Sequence, residues 1–288
     1  MLDGVTIVLI GFISQFINGS LGMGYGATSS SILIAVGLTP VVVSAAVHIG
    51  KVFAGLVSGV SHHAFGNVDR DLTLRLTVMG VIGGVIGALL LTRVSGDFIV
   101  PVVAAILLVL GARIFLRFSR RRGTPHPGPP WGTYPSWMPV PLGLIGGLVD
   151  AFGSAGWGPI CMGSLAGRSE KEIRVLIGSV SMAEFFVSVA IVVTFALVLG
   201  ADNFFWYVAG PLILGGVIAA PLAAYFTTRA SPEALGSFVG LFLIVVNINT
   251  IAHFLPGALG MGAIIPPAFG LLASLGLVCV LGILRTSR

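Results

Sequence analysis

Uninterrupted apolar runs recur from one end of this chain to the other, and they constrain its fold more than any single motif. Seven continuous runs cover about residues 40–60, 74–92, 98–116, 172–199, 204–226, 234–255 and 262–284. Each is long enough to cross a hydrocarbon core of about 30 Å as a helix. Charged residues make up only 9% of the sequence, against roughly a quarter in soluble domains, which excludes a soluble globular protein. Two further runs, about 4–37 and 138–167, are interrupted by glycine clusters. Their apolar arms of about 11–14 residues are too short to cross alone. The expectation is an all-α polytopic membrane protein with broken helices.

The net charge of +5 does not indicate nucleic acid, because the basic residues sit in short loops beside apolar runs, where they orient a chain in a bilayer. The most polar stretch, Arg117 to Tyr134, divides the chain nearly in half and reads as a cytoplasmic linker, 117–136. Cys161 and Cys279 show neither CxxC nor Cys/His ligand spacing, so no disulfide framework, metal site or cofactor is expected. The amino terminus lacks the basic region and cleavage site of a signal peptide, so the first apolar run is expected to remain in the mature protein.

The halves resemble one another. At an offset of 132, Asn18-Gly19 falls on Asp150-Ala151, Gly24-Tyr25-Gly26 on Gly156-Trp157-Gly158, and Gly83-Gly84 on Gly215-Gly216. With short gaps, Lys51 falls on Glu184. This predicts a first membrane repeat, 1–116, a second, inverted repeat, 137–256, and one additional C-terminal helix, 257–288. If each broken run is a re-entrant hairpin followed by three crossings, an outside amino terminus and an inside carboxyl terminus place Arg70, Arg75, Arg113, Arg117, Arg120–Arg122, Arg168, Lys171, Arg174, Arg229, Arg285 and Arg288 on the cytoplasmic side. Only Arg93 falls outside and Lys51 lies within a span. Fully crossing broken runs would instead split the basic clusters between two faces, so the positive-inside rule favours hairpins.

Inverted repeats with discontinuous helices place substrate near the midplane, where broken ends meet. The tips are expected to be the loops 18–26 and 150–158. There, Gly19, Gly22, Gly24, Gly26, Gly153, Gly156 and Gly158 allow close backbone approach, and helix amino termini favour an anion. Asn18, Ser20 and Ser154 can add hydrogen bonds, and Tyr25 and Trp157 can wall or gate the site. The plainer reading of these glycines is tight helix packing.

Lys51 is the basic residue deep in a span, with His48 and Ser44 on the same helical face. Intramembrane ionisable groups are expensive and usually functional. A Lys51–Glu184 pair can be purely structural. Alternatively, Lys51 attracts an anion while His48 or Glu184 exchanges a proton. Asp150, also intramembrane, reads as a cap for a backbone N–H or a proton carrier. Asn247, Asn249 and His253 read as interhelical hydrogen-bonding groups, and Met23, Met162 and Met182 as core or lipid-facing. The pair His62-His63 is weak as a metal site.

The Asn18-Gly19 and Gly22-x-Gly24-x-Gly26 signature, with its counterpart Gly153-x-x-Gly156-x-Gly158-Pro159, makes the chain resemble the sulfite exporter TauE/SafE family over residues 5–284. The resemblance implies a bacterial inner-membrane permease for a small sulfur-containing anion such as sulfite or sulfoacetate. Tyr25 and Trp157 stand where that family often has glycine, which bears on pocket size. The expected function is therefore secondary export of such an anion by alternating access, coupled to protons. Neither GxxxxGK[ST] nor an HExxH or GxSxG motif points to ATP or an enzyme. The rival readings are uptake of sulfate, thiosulfate or a carboxylate, and a non-transporting assembly factor; a homodimer is left open.

Overall fold

The structure, a computed structural model, describes residues 3–21, 24–119, 135–165, 173–200, 205–227 and 232–252. Gly22, Met23, most of the linker, Arg120–Arg122, Arg168, Lys171, Arg229, His253, Cys279 and the last apolar run, with the 257–288 unit, lie outside the described residues. Among those described, every regular element is helical: α1 (Gly4–Leu21), α2 (Tyr25–Ala35), α3 (Pro40–Ala64), α4 (Arg70–Leu91), α5 (Gly96–Ser119), α6 (Pro139–Gly153), a π-helical turn (Gly158–Met162) leading into α7 (Gly163–Leu165), α8 (Ile173–Leu199), α9 (Trp206–Thr227) and α10 (Pro232–Ala252). The helix α5 carries on three residues past the expected start of the linker.

Helix α4 shows how composition becomes a membrane helix. Asp69 caps it, its carboxylate accepting from the Leu72 N–H at 2.8 Å, which satisfies an otherwise orphan donor. Leu74, Val78, Ile82, Ile86 and Leu90, spaced by four, form an exposed apolar stripe. The opposite face, with Leu72, Leu76, Gly80, Gly83, Gly84 and Gly87, is buried. In water that exposed stripe would forgo roughly 1.5–3 kcal/mol per side chain, whereas lipid accepts it. Helices α3, α4, α5 and α8 are long and apolar enough to cross a membrane, and the chain is a multi-pass membrane protein.

Small residues set the helix pairing. In one crossing, a Cβ on Gly83 would meet the Leu144 carbonyl oxygen and the Leu148 nitrogen, and one on Gly147 would meet the Gly80 carbonyl. In another, a Cβ on Gly215 would meet the Val8 carbonyl and the Phe12 nitrogen, and one on Gly11 would meet the Leu212 carbonyl. Thus α6 lies against α4, and α1 against α9, at backbone contact. Helix α5 pairs with α10, where Gly111 faces Leu243 and Gly240 faces Phe115, and α3 pairs with α8.

Both breaks fall within the expected tips, 18–26 and 150–158, but the helix before each runs further into its tip than expected. Asn18, Gly19, Ser20 and Leu21 belong to α1, which runs 18 residues, about 27 Å, rather than ending in a short arm. Asp150, Ala151, Phe152 and Gly153 likewise belong to α6, of 15 residues. A glycine in a helix is merely less favourable, by roughly 0.5–1 kcal/mol. The chain breaks where the backbone turns left-handed: at Gly24, with φ +112°, and at Ser154, with φ +54°. Ser154 is the non-glycine residue with positive φ among those described, a local strain of order 1–3 kcal/mol that the surrounding packing must hold.

Candidate functional site: a buried charge cluster beside a cavity

The two breaks touch. A Cβ on Gly26 would collide with the Ser154 carbonyl, so only glycine lets the start of α2 rest on the end of α6. Helix α3 passes this junction and presents Ser44, His48, Lys51 and Ser58 at helical spacing.

Lys51 is the centre of the cluster. Its Nζ donates to both oxygens of Asp150, each at 2.9 Å, and lies 3.0 Å from Glu184 Oε1 on α8. Asp150 is wholly buried, and its carboxylate is shared: Oδ2 is 3.1 Å from His48 Nε2, and Oδ1 accepts the Trp157 backbone N–H at 3.1 Å. The reading of Asp150 as a backbone cap fits this geometry, and its pairing with Lys51 is a partner that spacing did not reveal. His48 Nδ1 is 2.7 Å from the Ser44 carbonyl and 3.1 Å from Ser154 Oγ. The ring thus faces the carbonyl on one side and the carboxylate on the other, and serves both acceptors only when each nitrogen carries a hydrogen. Ser44 Oγ donates to the Ala151 carbonyl at 2.6 Å, tying α3 to the end of α6.

In front of Lys51 lies a cavity of about 120 Å³, lined among others by Gln15, Asn18, Tyr25, Ser58, Ser181 and Glu184, and reached also by Gly24, Gly26, Ser154 and Gly158. A water needs roughly 10–15 Å³ measured this way, so the space holds a small oxyanion or several waters. The start of α2 opens into it. Gly24 provides no side-chain cap, and Tyr25, Gly26 and Ala27, whose N–H groups lack helical partners, all line the cavity.

The candidates named from sequence therefore separate. Asn18, Gly24, Tyr25, Gly26, Lys51, Ser154, Gly158 and Glu184 line the cavity. Asp150 stands behind it as the partner of Lys51, and His48 in turn as a partner of Asp150. Gly153 packs against the Val103 and Leu107 side chains of α5, and Gly156 against Val149 and the Asp150 backbone. Trp157 is fully buried, its indole N–H donating to the Val180 carbonyl at 3.0 Å and its ring against Gly80 and Gly146, and it does not line this cavity. Gly19 and Ser20 sit in the last turn of α1, and Gly22 is not described. Gln15 and Ser58 went unnoticed in the sequence, although Gln15 precedes Asn18 by three and Ser58 follows Lys51 by seven, each on its partner's helical face.

The other polar positions are less informative. Asn247 Nδ2 donates to Ser31 Oγ at 2.9 Å, an α10–α2 bond of the interhelical kind expected. Cys161 is a buried thiol near the Leu142 carbonyl, and Met162 is buried in the core. Among the described residues, no three His, Cys, Asp or Glu side chains gather as a metal site.

Comparison with known proteins agrees with the architecture. The sulfite exporter TauE/SafE family matches residues 7–250. The chain is 38% identical over 251 residues to the probable membrane transporter protein YtnM of Bacillus subtilis strain 168, an alignment covering 86% of this chain and 83% of that protein. No solved structure matches. A family match across most of the chain, with a relative this similar over nearly its whole length, places this membrane protein in the sulfite exporter TauE/SafE family.

Proposed function

We infer that the chain is a secondary transporter that exports a small sulfur-containing anion, sulfite or an organosulfonate such as sulfoacetate, by alternating access coupled to protons. The observation that carries this reading is the convergence of an uncapped helix amino terminus and the Lys51 ammonium on one cavity of about 120 Å³. Free backbone N–H groups and the helix dipole favour negative charge there, and cationic Lys51 adds a full charge. Coupling follows from the company Lys51 keeps. Asp150 and Glu184 already answer its charge, so an anion entering a poorly solvated site must arrive with a proton or displace a carboxylate.

The repeat supports alternating access. The α1–α9 and α4–α6 crossings use the same pattern of glycines and carbonyls, Gly11 and Gly215 answering Gly147 and Gly83. That is what two inverted halves exchanging their first arms would produce. The register of these crossings sets Gly11 against Gly147, an offset of 136, so α1 has one more turn than α6 before its break. Asp150 then corresponds to Ser14 rather than Asn18. An outside amino terminus, an inside carboxyl terminus and residence in a bacterial inner membrane complete the reading, on the distribution of basic residues.

The test is flux in proteoliposomes of the purified full-length protein, with sulfite or sulfoacetate followed in both directions, with and without a pH gradient. Gradient-accelerated export is expected. A rate indifferent to the gradient overturns coupling, accumulation only inward assigns uptake, and no flux of either anion overturns the substrate class.

A further inference from the structure

We propose that Glu184 is an internal stand-in for the substrate: its carboxylate occupies the anion position on Lys51, and loading requires that it take up a proton and give that position to the incoming anion, while Asp150 remains the fixed counter-ion. The proposal rests on the transport reading above and narrows it to one exchanging group.

The two carboxylates on Lys51 are not equivalent. Asp150 is wholly buried and its oxygens serve Lys51, His48 and the Trp157 backbone N–H. Protonating it would weaken the contacts that hold α3, α6 and the second break together. The Glu184 side chain is 30% exposed, lines the cavity, and meets Lys51 through Oε1 at 3.0 Å. Of the two, only Glu184 can leave Lys51 without dismantling the junction.

Charge accounting favours the same group. Before loading, Lys51 faces Asp150 and Glu184 as carboxylates. After loading with a monoanion, Lys51 faces Asp150, a neutral Glu184 and the anion, so the total charge is unchanged. In atoms, a proton of a hydronium ion from bulk solution bonds to a Glu184 oxygen and leaves neutral water behind, the Lys51 Nζ–H···Oε1 hydrogen bond breaks, and Nζ–H donates to an anion oxygen instead. Glu184 then becomes a hydrogen-bond donor that the anion can also use. One proton accompanies each monoanion, and a dianion would require a second. The site therefore favours singly charged anions.

Other charged neighbours do not supply this exchange. From α3, Glu184 faces Lys51, with His48 behind Asp150. From α6 it faces Asp150, and from the π-helical turn the buried Cys161. Helix α4, packed on α8, carries Arg70, Asp71 and Arg75 in its exposed first turns, away from the cluster. Gln15, Asn18, Ser58 and Ser181 leave the cavity polar but uncharged apart from Lys51 and Glu184.

The experiment is calorimetric binding of methanesulfonate, a sulfonate with a single charge, to the full chain in lipid nanodiscs, across the pH range above about 6, where the charge of this ligand is constant. Buffers of different ionisation enthalpy count the protons taken up. For the unaltered protein we expect affinity to fall about tenfold per pH unit on the alkaline side, with about one proton bound per anion. For Glu184→Gln we expect affinity that is flat with pH and no proton uptake, while Glu184→Asp restores both pH slope and uptake. A Glu184→Gln protein that keeps the slope and proton count overturns the proposal and leaves the transport reading standing. Methanesulfonate binding to neither protein overturns both, since the anion reading itself then fails.

Discussion

The two breaks in this chain carry the same glycine–aromatic–glycine signature and do opposite work. At the first, Tyr25 opens α2 with no side-chain cap and lines the cavity. At the second, Trp157 is fully buried, and the carboxylate of Asp150 already occupies its backbone N–H. Among the described residues, the first break has no side-chain cap, whereas the second is closed by a side chain of its own helix. The lesson is that a repeated motif marks where the backbone breaks, but the neighbouring polar residue decides whether the broken end faces a ligand or a carboxylate. With Asp150 serving the second break, the proposed anion site falls at the first.

The largest expected effect comes from removing the charge that the two breaks share. Lys51→Met leaves Asp150 and Glu184 facing each other, which should cost about 3–5 kcal/mol of stability and abolish anion binding, measured by thermal unfolding and calorimetry. Pairing it with Asp150→Asn should recover much of the stability without restoring binding. Recovery of binding in the double variant would remove Lys51 from the ligand. Next is Gly26→Ala, whose methyl would strike the Ser154 carbonyl. Prising the breaks apart should lower stability by about 1–3 kcal/mol and transport more than tenfold on the order of a 1.4 kcal/mol loss. Wild-type flux in that variant would mean that the junction is not needed.

A matched pair then sharpens the contrast itself. Trp157→Phe loses the bond to the Val180 carbonyl and should cost about 1 kcal/mol of stability with sulfoacetate affinity unchanged. Tyr25→Phe should do the reverse, weakening affinity about fivefold for one hydrogen-bonding group with unfolding unmoved. Equal effects on affinity would show that both aromatics face the ligand. Smallest of all is Ser14→Ala. Ser14 Oγ is buried without a partner among the described residues, so deleting it should change the melting temperature by no more than a degree or two; a large loss would reveal a role for this position, which the proposed repeat aligns with Asp150.

Much of the architecture was legible in the sequence because membrane burial writes itself in long apolar runs. The Ser44–His48–Lys51 face and the Lys51–Glu184 pair were legible too, one from helical spacing and the other from the alignment of the halves. The breaks were legible only in part. Gly19 and Gly153 looked like breakers, yet both remain helical, since glycine tolerates a left-handed turn without imposing one. On the proposed repeat, the offset of 132 hides an extra turn of α1, for which the backbone contacts of Gly11 and Gly147 are the support. The burial of Trp157 was out of reach, because an aromatic between glycines reads alike whether it faces a cavity or the Gly80 backbone.

The glycine crossings described above also bear on how the chain assembles. Because α1 is clamped to α9, and α4 to α6, neither half can complete its packing alone. During synthesis α1 must wait in the bilayer, its glycine face uncovered, until α9 emerges near the far end of the chain. Cutting the connection between α5 and α6 should therefore give two fragments that are each degraded when made singly, yet reunite when produced together.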